Sequence, residues 1–75
     1  MWRGLAQEHA EARALHVASE EAPGQRAVVR NSEIHGIDWV VRMWVFRSPL
    51  DEAPREALCR VRATDGEPVG FEMHA

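Results

Sequence analysis

The strongest pattern in the chain is an alternation. Ile37, Trp39, Val41, Met43 and Val45 form an unbroken apolar row at a spacing of two, the period at which a strand presents one face. A strand over 37–47 is predicted, central in its sheet, with this row turned to a core. The opposite row is Asp38, Val40, Arg42, Trp44 and Phe46, half polar and half aromatic. Upstream, residues 26–34 read as a second strand, firmest over Arg26-Ala27-Val28-Val29-Arg30, with Asn31 to Gly36 as the turn.

The pattern before that is helical. Residues 5–21 are rich in alanine, leucine, glutamate, glutamine and arginine, all good helix formers. Leu5, His9, Ala12 and His16 share one face at spacings of three and four, and Trp2 extends it. The face is only weakly apolar. Pro23-Gly24 ends the helix.

Beyond the long strand, residues 48–55 read as a loop holding Pro49 and Pro54, and two readings then compete. In the first, Cys59, Val61 and Ala63 alternate with Leu58, Arg60, Arg62 and Thr64. Asp65-Gly66 turns the chain, and Val69, Phe71 and Met73 return along the same face as a hairpin. In the second, Asp51 caps a helix with Pro54 in its first turn and Gly66 at its end. The alternation favours the hairpin. The expected class is α+β in one small domain over 1–75: an N-terminal helix on a small antiparallel sheet, ordered α-β-β-β-β. The alternative order is α-β-β-α-β.

Composition narrows the setting. A chain of 75 residues with a single cysteine cannot form an internal disulfide, which fits a reducing, cytoplasmic compartment. No apolar run approaches the roughly 20 residues of a membrane span, and the first residues lack a signal peptide's apolar core. All nine basic residues are arginine, alanine is abundant and tyrosine is absent. That usage suggests a GC-rich bacterium or one of its phages. The net charge of −3 weakly opposes non-specific nucleic-acid binding.

Candidate chemistry is sparse. His9 and His16 lie about 10.5 Å apart along a helix axis, too far to share one zinc ion, and His35 and His74 fall elsewhere. No metal or cofactor is therefore expected. Cys59 reads as a small buried hydrophobe. No nucleophile elbow, phosphate loop or dinucleotide fingerprint is present, so no catalytic residue is assigned and the chain is not read as an enzyme. Ser32-Glu33-Ile34-His35-Gly36-Ile37 resembles the first strand of SET-domain methyltransferases over six residues, with Asp38 in place of a second glycine. The chain is too short for that family's cofactor-binding and catalytic parts, and no function is carried over.

What remains is the second row of the long strand. Arg42, Trp44 and Phe46, followed by Arg47, set aromatic rings beside guanidinium groups, and in the hairpin reading Arg60 and Arg62 join them. Arginine and tryptophan are enriched at binding hot spots. Either Trp44 and Phe46 pack under the helix, or they form an exposed patch at an interface. The expected function is a protein-binding or regulatory accessory module, with a protein partner or a second copy as its occupant. A nucleic-acid platform on the same face, or a small enzyme or part of a larger complex, are the alternatives.

Overall fold

A computed structural model describes residues 6–74. It consists of one helix, α1 (Gln7–Glu21), and four strands, β1 (Arg26–His35), β2 (Asp38–Phe46), β3 (Arg55–Arg62) and β4 (Pro68–His74). The strands form one antiparallel sheet in the order β1-β2-β3-β4, and α1 packs across one face of it. The class is α+β, one helix on a four-stranded meander. The helical alternative for the segment after Asp51 is excluded, since residues 55–62 are strand β3.

The helix takes its place through alanine. Ala10, Ala14 and Ala18 are buried at successive turns, and Ala22 continues the line. This corrects the predicted face: His9, Ala12 and His16 all point to solvent, and Trp2 and Leu5 lie outside the described residues. Period counting favoured the wrong stripe because alanine carries little hydrophobic weight. Its virtue here is small size, which lets the backbone approach the sheet closely. Local signals support α1 only partly. Ala6 supplies no side-chain cap, and Glu20 and Glu21 sit at the negative end of the helix dipole. Packing therefore has to hold the helix.

Beneath the alanines lie Val41, Met43 and Val45 of β2 and Ala57, Cys59 and Val61 of β3, all at most 2% exposed. Phe71, Met73, Val29 and Trp39 flank them, half-buried. Each large apolar side chain buried here contributes roughly 1.5–3 kcal/mol. The predicted row thus holds from Trp39 to Val45, and β2 is an interior strand. Ile37 drops out: it stands in the turn after Gly36 and is 65% exposed. The predicted six-residue turn is also too long. β1 runs on to His35, and only residues 36 and 37 turn the chain, Gly36 supplying a φ of 64°.

Two irregularities mark the outer ladders. The β1–β2 register shifts between Val29 and Asn31, a bulge at Arg30. The β3–β4 register shifts between Arg60 and Val61, and Val69 in the facing strand is 42% exposed although the alternation placed it with Phe71 and Met73. The β3–β4 turn is fixed by Asp65, whose carboxylate accepts from the Glu67 amide and from Arg62, each at 3.0 Å. Gly66 takes a φ of 75° there, and its amide donates to the Arg62 carbonyl at 2.8 Å.

Candidate functional site: the open face of the sheet

The helix covers one face only. Strand alternation sends Arg42, Trp44 and Phe46 of β2 to the other face, and the register places Arg60 opposite Val40 and Arg62 opposite Asp38. Five of the six predicted site residues therefore share this open face. Arg47 lies just past the end of β2, where it pairs with Asp51. The packing of Trp44 and Phe46 under the helix is excluded, because α1 is on the far side. The rings are not fully exposed either; both are half-buried among their neighbours on the open face.

Trp44 shows how. Its cross-strand neighbours are Val28 and Glu56. The guanidinium of Arg30 lies over its ring, 4.3 Å from the centroid, and donates to Glu56 at 2.6 Å. An arginine from β1 thus arches over β2 to reach a carboxylate on β3, with the indole beneath it. The bulge at Arg30 lets this side chain lean inward. The sequence held no signal for the arch, because residues 30, 44 and 56 become neighbours only through the register.

The rest of the face is ionic in the same self-contained way. Arg42 donates to Glu33 at 2.9 Å and to Asn31 at 3.4 Å. His35 Nε2 lies 3.1 Å from the same carboxylate oxygen of Glu33. The Arg42 hydrogen bond, then that of His35, hold the Glu33 carboxyl below its usual range. Glu72 is placed opposite Leu58, and His74 opposite Glu56. Arginines and carboxylates are thus interspersed across the face. Val40 sits between Glu33 and Arg60 in register and is 3% exposed.

At one end of the sheet a cavity of about 430 Å³ opens between the α1–β1 connection and the start of the β2–β3 loop, lined by Gly24, Gln25, Arg26, Phe46, Arg47, Ser48 and Pro49. Asp51 shapes the loop. It accepts from the Arg47 and Ala53 amides, each at 3.0 Å, and these two bonds lower its pKa. Next to the cavity, Arg55 donates to the Gln25 side chain, while its Nε is buried without a partner among the described residues.

The remaining candidates are inert or scattered. Cys59 is buried, and desolvation raises its thiol pKa to about 11, so it has no thiolate to offer at neutral pH. His9 and His16 are exposed, and His16 lies 3.6 Å from Glu20. Among the described residues no three His, Cys, Asp or Glu side chains converge as metal ligands, and no helix is long and apolar enough to cross a membrane. The segment Ser32–Ile37 is the end of β1 and its turn, and Ser32 accepts from Gln7 at 2.7 Å and donates to Glu11, tying β1 to the start of α1.

No family model, no curated protein and no solved structure matches this chain.

Proposed function

We propose that the protein is a small protein-binding, regulatory or accessory module whose open sheet face seats a second copy of the same chain. The observation that carries this reading is the coverage of only one side of a four-stranded sheet. The other side bears Val28, Trp44, Phe46 and Leu58 among charges of both signs. A two-fold contact places a surface against itself, so it needs both signs on one patch. A single-sign face would repel its copy. Arg30–Glu56 and Arg42–Glu33 supply cation and anion side by side, and Arg60 keeps a guanidinium without an ion-pair partner among the described residues.

Size sets the strength. Four strands of about eight residues cover roughly 500 Å² in projection, less than the roughly 800 Å² per partner of a standard interface. A patch of this size suits a weak dimer whose population rises with concentration. Light scattering after size exclusion, from micromolar to high micromolar concentration, tests it. A dimer fraction rising with concentration is expected. The Trp44→Ala, Phe46→Ala pair should abolish that rise while the circular dichroism of the monomer persists. A strictly monomeric species at high micromolar concentration, with Trp44 closed to acrylamide, would sink the reading.

Nucleic acid is the weaker occupant. Base stacking needs a free ring, and Arg30 already lies over Trp44. Phosphate contacts need excess positive charge, and the carboxylates of this face offset its arginines. Tight binding of single-stranded DNA that falls steeply with salt would overturn the protein-binding reading in favour of that one.

A further inference from the structure

We propose that the cavity at the Gly24–Pro49 end of the sheet binds a small aromatic carboxylate. Its volume of about 430 Å³ falls within the roughly 300–1,000 Å³ of ligand pockets. The lining divides into two chemistries. Phe46 and Pro49 offer rings against which a flat apolar group can lie. Arg26 and Arg47 offer guanidinium groups, and no lining residue is acidic.

The two arginines differ in a useful way. Arg26 makes no ion pair or side-chain hydrogen bond among the described residues, although a cross-strand neighbour of Phe46 could have been given a carboxylate to meet. Arg47 is held by Asp51 through its Nε at 3.6 Å, which leaves its two terminal nitrogens for another acceptor. Guanidinium forks match the geometry of a carboxylate and are charged at every working pH. The rim is open: Gly24 has a φ of 79°, and nothing lies within 4 Å of where its Cβ would stand. A ring with one short acidic arm satisfies both halves of the lining at once. Acetate would leave the apolar wall bare, and a neutral aromatic would leave the Arg26 guanidinium unpaired.

The lining comes from one chain, but Phe46 also belongs to the face proposed to seat a second copy, and Trp44, which lines no part of the cavity, separates the two readings. Titration of ¹⁵N-labelled protein with phenylacetate, followed by amide chemical shifts, tests it. Saturable shifts are expected at Gly24, Phe46, Arg47 and Ser48 in the millimolar range. Phenylacetamide, equal in shape and uncharged, should bind about tenfold more weakly. Arg26→Gln with Arg47→Gln should remove that difference while leaving the rest of the spectrum in place. Trp44→Ala, which loosens the dimer, should leave the phenylacetate shifts unchanged. Equal response to acid and amide, shifts that map elsewhere, or no saturation at tens of millimolar would each overturn the proposal.

Discussion

On the helix side of the sheet, Val41, Met43, Cys59 and Val61 have no exposed surface, and a row of alanines covers them. On the other side Val40 is almost as dry, at 3% exposed, yet none of the described helices or strands lies over it. Its neighbours are long arginine and glutamate side chains, whose methylene stems cover apolar surface while their heads stay in water. One face is sealed by fit between two backbones brought close. The other is covered only in part, by flexible side chains of which Arg30 and Arg42 are held by ion pairs. The first kind of cover is unforgiving of volume and indifferent to salt and acid. The second tolerates volume and depends on charge. A face of the second kind can also be opened, because its cover costs little to rearrange: exposed ion pairs contribute about 0–1 kcal/mol each.

The sharpest way to break this contrast is a charge on the sealed side. Val41→Asp places a carboxylate where there is neither water nor a partner, a cost of several kcal/mol. That rivals the whole stability of a domain this small. The variant should be unfolded at 25 °C by circular dichroism, and a cooperative melt near that of the parent would refute the assigned face. A volume change comes next. Ala14→Leu overfills the contact between α1 and the sheet and should cost about 1–3 kcal/mol in urea unfolding. The same change at exposed Ala12 should be close to neutral. Equal effects at the two positions would mean that α1 does not rest on its alanine stripe.

The weakest perturbation is acid, which should act first on the charged side and the turns. Glu33 on the open face and Asp51 and Asp65 in the turns have lowered pKa values. The folded state therefore binds fewer protons at these groups than the unfolded chain. Their stabilisation is fully present above the unfolded pKa of about 4 and is lost as the pH falls through the lower folded values. Urea midpoints should hold steady from pH 7 to about 5 and then decline. Asp65→Asn should flatten part of that decline, and an unchanged profile would remove the Asp65 turn from the account.

The same contrast explains what could be read in advance. The strand at 38–46 was legible because alternating large apolar residues leave few other interpretations. The third strand was legible by the same alternation at Cys59, Val61 and Ala63, although its alanine, leucine and arginine content also suited a helix. The buried face of α1 was not. Alanine at positions 10, 14 and 18 contributes by being small, and a scale that rewards size points to His9 and His16 instead. Residues of the open face could be named, since parity alone assigns Arg42, Trp44 and Phe46 to one side. Their state could not, because the arch of Arg30 depends on a bulge and a register that no local pattern encodes. The cavity beside Pro49 was hidden for a related reason: its walls come from two strand ends and two connections that meet only in the fold.

The bulge at Arg30 has a consequence for how copies of this molecule can accumulate. A strand arriving at the outer edge of β1 finds two short regular stretches, 26–29 and 31–35, with the spacing broken between them. An edge interrupted in this way is a poor template for strand-by-strand growth. Association directed to a face closes on itself after two copies, whereas association along an edge continues without limit. A single inserted residue thus biases the molecule towards finite assemblies and away from fibres.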